Sequence, residues 1–286
     1  MGNDKLNSDI ALSATVILLR NGYHQPSAGQ EGVLASLETL MVQRSTQMGF
    51  AGGAIVFPGG KIDKADYDML SSLGGGGSES DFHVSQQDQQ ISVTKIAAIR
   101  ELFEETGILL ASFKRQSLSP TMWRENDLGS LKRRKEINVS AKLFFEFLQD
   151  FEFEINLDSL TNFAQWRTPP NLHRRFDTYF YLAQIPEGQS VLADGEESTE
   201  ALWASPKELL EMGKSGERKI IFPTARILEL LALDKTYADI LSRTRNRPQR
   251  CIEPQVVEEN GEHFLTIPDD MGYPVVREQL TQANRG

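Results

Sequence analysis

A single cysteine, Cys251, stands among 286 residues. An intramolecular disulfide is therefore excluded, and a reducing compartment fits that usage. Nothing around Cys251 marks it as reactive, so it reads as an ordinary free thiol. The four histidines, His24, His83, His173 and His263, show no zinc-ligand spacing. No apolar run approaches the ~20 residues of a membrane helix, so no membrane partner is expected. The N-terminus lacks the basic and apolar stretches of a secretory leader. The terminal Asn284-Arg285-Gly286 is not a peroxisomal address of the S-K-L type, and the cytoplasm is the expected location. Excess positive charge is missing too. Forty Asp and Glu against 30 Lys and Arg leave a net charge of −10. That balance argues against an extended nucleic-acid surface, though not against a local basic cleft. What remains is the composition of a soluble globular protein, long enough for one large domain or a domain with an extension.

The informative stretch is Arg100-Glu101-Leu102-Phe103-Glu104-Glu105-Thr106-Gly107-Ile108. It places three carboxylates within five residues. On a helix, positions i, i+3 and i+4 share a face, so Glu101, Glu104 and Glu105 converge. Such like charges repel, and acids near a helix C-terminus oppose its dipole. Most Glu-rich helix faces are simply solvated, but a divalent cation would resolve this conflict, because hard cations seek carboxylate oxygens. Ile96, Ile99, Leu102 and Phe103 fall on the opposite side as a core stripe. Ala97 and Ala98 flank the acids, leaving nothing bulky to block access. Gly107 is placed to end the helix as a C′ glycine.

Upstream lies Val56-Phe57-Pro58-Gly59-Gly60-Lys61-Ile62-Asp63. Together the two stretches resemble the Nudix box, G-x5-E-x7-R-E-U-x-E-E-x-G-U, where U is bulky and aliphatic. The second half matches at every fixed position. The first half departs: Gly60 and Arg100 enclose 39 residues where the pattern has 13, so 26 extra residues lie inside it. Counting back from Arg100, the pattern's first Glu becomes Ser92. Its role is then lost or falls to another acid such as Asp63 or Asp88. The insertion is read as about 64–93, a linker-like surface excursion holding Gly74-Gly75-Gly76-Gly77 and a short helix near Tyr67–Ser72. It reads as a tolerated insertion, with a lid over the site the minority reading.

Strands are expected at Ala11–Leu19, within Leu34–Arg44, at Arg174–Ala183 and at Ala201–Trp203. Pro120–Leu148 reads as mainly helical, with Phe144, Phe145 and Phe147 in the core and the basic run Lys132-Arg133-Arg134-Lys135 on a solvated face. Ser205-Pro206-Lys207-Glu208 is a capping box with Pro at N1. A helix from there is expected to reach about Met212, and a further helix or helix pair to cover Thr224–Arg243. A hairpin follows, centred on Asn260-Gly261. The division is a Nudix hydrolase domain over 9–244 and a C-terminal extension, 245–286, packed on it.

The resemblance implies an α/β fold, an α/β/α sandwich with a mixed sheet, and hydrolysis of a diphosphate linkage in a nucleoside diphosphate-linked substrate. It implies Mg²⁺ or Mn²⁺ as cofactor, with Glu101, Glu104 and Glu105 as ligands and Arg100 orienting a neighbouring carboxylate. The acidic loop 194–200 is the natural place for a general base, among Glu196, Glu197 and Glu200, with Glu200 selected. The wider chain, including Trp166-Arg167-Thr168-Pro169-Pro170 and the tail Ile252–Pro274, is similar to the nucleoside diphosphate-linked moiety X motif 19 group. That similarity implies coenzyme A or its acyl esters as the small-molecule partner, cleaved to 3′,5′-ADP and (acyl-)4′-phosphopantetheine. Arg44, Arg167, Arg174 and Arg175 would then contact phosphate, near Gly59 and Gly60; surface ion pairing is the rival role for Arg174 and Arg175. Nucleic acid is not expected as a partner, and a homodimer is compatible. Other substrates considered are ADP-ribose, NADH, a nucleotide sugar and capped RNA. A non-catalytic nucleotide-sensing module is the alternative of another class; the three intact Glu count against it.

Overall fold

The computed structural model describes residues 10–22, 36–48, 51–73, 85–113, 116–117, 123, 127–170, 172 and 174–283. The chain opens with β1 (Ala11–Asn21) and β2 (Leu37–Arg44), followed by β3 (Ile55–Val56), β4 (Gly59–Lys61), α1 (Lys64–Leu73) and α2 (Gln86–Thr106). A small antiparallel sheet comes next, built from β5 (Ala111–Phe113), β6 (Gln116–Ser117) and β7 (Phe153–Ile155), around α3 (Leu131–Ile137) and α4 (Ala141–Asp150). The main sheet resumes with β8 (Thr161–Arg167), β9 (Phe176–Gln184) and β10 (Ser198–Ala204). Helices α5 (Pro206–Ser215), α6 (Phe222–Leu231) and α7 (Tyr237–Asn246) lead to β11 (Cys251–Ile252). The hairpin β12 (Gln255–Glu259) and β13 (Glu262–Thr266), with β14 (Arg277–Gln279) and the short α8 (Leu280–Ala283), completes the chain.

The main sheet runs β10-β2-β1-β9-β8-β11, with β3 on β2 and β4 on β1. It is mixed: β1 pairs β9 in parallel and β8 pairs β11 in parallel, while the remaining pairs are antiparallel. Period-two alternation puts Ala14, Val16 and Leu18 on one face of β1, and Ile17 and Leu19 on the other. Both sets are fully buried. The first packs under α2 and α4, the second under α5, α6 and α7. A strand apolar on both faces needs helices on both sides, and this is the expected α/β/α sandwich.

Several local signals hold. Ser205 and Glu208 form the capping box at α5, with Pro206 at N1. Asn260 (φ 53°) and Gly261 (φ 81°) take the left-handed conformation that a type I′ hairpin turn requires. Phe144, Phe145 and Phe147 are buried, and Phe103 stacks on Phe147 at 5.3 Å. Other signals shift. The stretch read as an insertion over 64–93 contains the ten-residue α1 and the first two turns of α2, capped by Ser85 accepting from Asp88 N–H. Its glycine run, 74–77, lies outside the described residues. Beyond residue 245, β11 extends the main sheet, and Ile252, Ile267, Met271 and Tyr273 enter the same core as α6.

That junction carries a titratable group. Arg226 on α6 donates to Glu229 at 2.6 Å and pairs with Glu278 on β14 at 3.3 Å. Burial pushes the Glu229 carboxyl from 4.5 up to about 7, against the opposing pull of Arg226. The folded state thus holds a proton that the unfolded chain releases between those values. This contribution to stability is complete below about pH 4.5 and lost as pH rises through about 7. Urea unfolding at pH 5 and pH 7.5 is expected to show a loss of about 1–3 kcal/mol from this site, and Glu229→Gln is expected to flatten it.

Candidate active site

Helix α2 carries the acids and is packed so closely that its last two turns are almost wholly buried. Ala97 and Ala98 are fully buried against the sheet. They do not flank an open face; their small side chains let the helix approach the strands. Gly107 ends the helix with φ 78°, its N–H donating to Phe103 O at 2.8 Å.

Arg100 organises the acids. Its guanidinium, 4% exposed, donates through Nε and Nη2 to the two oxygens of Asp66, each at 3.0 Å. Nη1 donates to Glu101 at 2.9 Å and to Glu104 at 2.8 Å. Nη2 also reaches the carbonyl of Lys61 at 3.0 Å. One planar fork therefore holds three carboxylates and ties α2 to β4 and α1. Burial works against its charge, but Glu101, Asp66 and Glu104 outweigh that and raise its pKa.

Asp66 answers the question of the box's missing acid. It is fully buried and accepts Asp63 N–H at 2.7 Å as well as Arg100. Neither Asp63 nor Asp88 does this work. Asp63 caps α1, accepting Ala65 N–H at 2.8 Å, and Asp88 sits in the first turn of α2 with Ser85. The signal was in the sequence: five residues separate Gly60 from Asp66, the spacing of the pattern's first half. The extra residues lie after this acid, so counting forward from Gly60 finds it and counting back from Arg100 does not.

The glycines earlier in the chain shape the other wall. Strand β4 pairs with β1, setting Gly60 against Ala14 and Gly59 against Thr15. A Cβ on Gly59 would stand 2.3 Å from Ala14 O, and one on Gly60 would stand 2.4 Å from the Glu101 carboxyl. Only glycine lets the strand pass this close to the acids. Gly59 N–H donates to Glu105 at 3.1 Å.

Charge is out of balance here. Burial raises the pKa of Glu101, Glu104 and Glu105, Glu104 to about 8 despite the pull of Arg100. Mutual repulsion adds to it: Glu101 acts on both Glu104 and Glu105. Arg44, at the end of β2, partly offsets the charge of Glu105, and its Nε is buried without a hydrogen-bond partner. Among the described residues no three His, Cys, Asp or Glu side chains already converge in metal-site geometry. Glu101 and Glu104 are turned onto Arg100, and Glu105 onto Gly59. The donor chemistry still fits a hard divalent cation, because these are carboxylate oxygens in excess of the cations beside them.

The remaining expected residues lie elsewhere. Glu200 on β10 is held by Arg218 through two contacts of 2.8 and 2.9 Å. Of the loop acids, Glu197 is the one whose charge acts on Glu101, and its carbonyl accepts Ser45 N–H at 2.9 Å. Arg167 is bound to Asp177 at 2.6 Å; Arg175 is buried, donating to Thr168 O and pairing with Glu253 at 3.6 Å; Arg174 is exposed. Cys251 is half-buried with its thiol pushed up to about 11 by burial, as an inert thiol would be.

Known proteins resemble this chain in sequence and fold. The family model described as the NUDT19 Nudix domain matches residues 81–233, just over half of the chain. Acyl-coenzyme A diphosphatase NUDT19 of Xenopus laevis is 28% identical, over 88% of this chain and 76% of that protein. Putative nudix hydrolase 7 of Caenorhabditis elegans is 31% identical, over 82% of this chain and 69% of that protein. The crystal structure of a Nudix hydrolase from Alicyclobacillus acidocaldarius matches with a TM-score of 0.63 at 24% identity, covering 82% of this chain and 97% of that one, a likeness of fold. With a family model over half its length and the Arg100-centred acids in place, the chain belongs to the Nudix hydrolase family.

Proposed function

We propose that this protein is a divalent-metal-dependent diphosphatase whose substrate is coenzyme A or an acyl ester of it, cleaved to 3′,5′-ADP and (acyl-)4′-phosphopantetheine. The observation that carries the reaction type is the buried guanidinium of Arg100 holding Asp66, Glu101 and Glu104 beside Glu105. The substrate class is supported by relatives named acyl-coenzyme A diphosphatase, from Xenopus laevis at 28% and Homo sapiens at 27% identity.

Glu101 and Glu105 would hold Mg²⁺ or Mn²⁺, with Glu104 alongside. When bound, such an ion supplies charge neutralisation at the diphosphate and lowers the pKa of an attacking water. The protein's own part is positional. Arg100 fixes the side-chain directions of Glu101 and Glu104, and Gly59 N–H fixes Glu105. Arg44 would meet a substrate phosphate, since its Nε is buried without a partner beside these acids. Arg167 and Arg175 would have to share their guanidinium with Asp177 and Glu253 to do the same. Glu197 is favoured over Glu200 as the proton acceptor. Glu197→Gln is expected to lower kcat by about 10²-fold, while Glu200→Gln stays within about threefold of wild type; equal losses would contradict the assignment.

The substrate is tested by competition. Purified protein with Mg²⁺ or Mn²⁺ is offered coenzyme A, acyl-coenzyme A, NADH, ADP-ribose, UDP-glucose and capped RNA together. The highest kcat/KM is expected for a pantetheine-bearing compound. A preference for a substrate without pantetheine refutes the coenzyme A reading, and turnover of none favours a sensing module.

A further inference from the structure

The basic run Lys132-Arg133-Arg134-Lys135 does not form a uniformly solvated face. Arg133 stacks over Phe151 at 5.0 Å, and Arg134 is 1% exposed. Ser130 caps α3, its side chain accepting Arg133 N–H and its carbonyl accepting Arg134 N–H at 3.0 Å. The Arg134 guanidinium lies at the C-terminal end of α2. Nη1 donates to the carbonyl of Glu104 at 3.1 Å, which also accepts Asn138 Nδ2 at 3.2 Å. Nη2 donates to the carbonyl of Leu192. A cation suits this place, because the last carbonyls of a helix carry its negative end.

The two carbonyls belong to the two segments that frame the acids. Glu104 lies in the last turn of α2, between Glu101 and Glu105. Leu192 begins the loop that carries Asp194 and Glu197. That loop meets α2 in one further bond, Leu192 N–H to Thr106 O at 3.0 Å. Downstream, Asp194 Oδ1 accepts Glu196 N–H at 2.5 Å and Ser198 N–H at 3.2 Å, so the path of the loop is set from Leu192 onward. Helix and loop are thus joined at one point, with Arg134 behind it. On the solvent side a cavity of about 210 Å³ opens between Leu131, Arg134, Asn138, Asp194 and Glu196.

We infer that Arg134 is a positioning residue, clamping the last turn of the acid-bearing helix to the acidic loop through two carbonyls, one on each. It touches no reacting atom. It sets the distance between Glu104–Glu105 on one side and Glu197 on the other. Lysine cannot replace it, because a single ammonium lacks the planar fork that reaches both carbonyls. The kinetic consequence rests on the hydrolase reading above; the clamp itself does not.

The test pairs amide hydrogen exchange with kinetics in Arg134→Met and Arg134→Lys. For Arg134→Met, exchange is expected to quicken at least about tenfold in both 103–107 and 191–198, with the strands of the main sheet unchanged. Its kcat should fall by about 10–100-fold with KM within twofold, and added guanidinium ion, entering through the cavity, should recover part of kcat. Arg134→Lys should loosen one segment and not both, which keeps the inference testable if the methionine variant does not fold. Wild-type exchange at both segments in either variant would overturn the clamp. So would exchange raised evenly across the sheet in Arg134→Lys, which marks loss of fold and not of position. If the wild-type protein hydrolyses none of the diphosphates, the functional reading fails, while the exchange result still decides the clamp.

Discussion

Asp66→Ala is expected to destabilise the protein by about 3–5 kcal/mol, because it leaves the guanidinium of Arg100 buried with its bidentate partner gone. Asp66 is fully buried, and Arg100 is 4% exposed. Neither can turn to water for compensation. The substitution also frees Asp63 N–H at the start of α1, which Asp66 now accepts at 2.7 Å. For a chain of this length the loss corresponds to a fall in Tm of about 5–8 °C. A second effect follows from the same fork. Without Asp66, Arg100 keeps only Glu101, Glu104 and the Lys61 carbonyl, and the direction it gives the two acids loosens. Asp66→Asn is milder, since the amide oxygen still accepts one bond. Thermal and urea unfolding of the two variants measure the difference. A change under about 1 kcal/mol in Asp66→Ala would mean that Arg100 is held adequately by the remaining acids, and that Asp66 is not the box's first acid in function.

Glu105→Gln is expected to have the larger effect on activity and a small one on stability. The change is isosteric, and the amide oxygen still accepts from Gly59 N–H, now at 3.1 Å from the carboxylate. Removing one of several crowded buried negative charges costs the fold little, since burial already raises the pKa of Glu105. Catalysis should lose about 4 kcal/mol of transition-state stabilisation, a factor of about 10³ in kcat. Tm is expected to stay within a few degrees or rise. Full activity in this variant would remove Glu105 from the metal site.

The helix half of the site was legible because its information is local. The spacing of Glu101, Glu104 and Glu105 and the glycine at 107 are read off one helix, and the structure sets all four on it, although Glu101 and Glu104 turn onto Arg100 and Glu105 onto Gly59 N–H. The glycine wall was legible for a different reason: Gly59 and Gly60 stand where strand β4 must approach Glu101 and β1 within contact distance. Asp66 was missed through an assumption about where the extra residues enter, not for want of a signal. Arg134 could not be read, because four consecutive basic residues describe a solvated face as well as a half-buried one, and only the seating of α3 against α2 buries the third. The choice among the acids of the 194–200 loop was equally closed to sequence. A bulge between Ser198 and Glu200 shifts the register of β10 on β2. Glu200 is then set beside Gln43 and into the reach of Arg218, whereas Glu197 remains on the loop, where its charge acts on Glu101. Alanines at 97 and 98 misled in the opposite sense: small residues on an acidic flank suggest access, but here they let the helix sink onto the sheet.

The measurement that bears most directly on the whole account is product identity. Wild-type protein and Glu105→Gln are incubated with coenzyme A and Mn²⁺, and the products are separated and weighed by mass spectrometry. Equal amounts of 3′,5′-ADP and 4′-phosphopantetheine are expected from the wild type, and neither above background from the variant at matched fold. Products cut at another bond, or the same products at the same rate from both proteins, would contradict it.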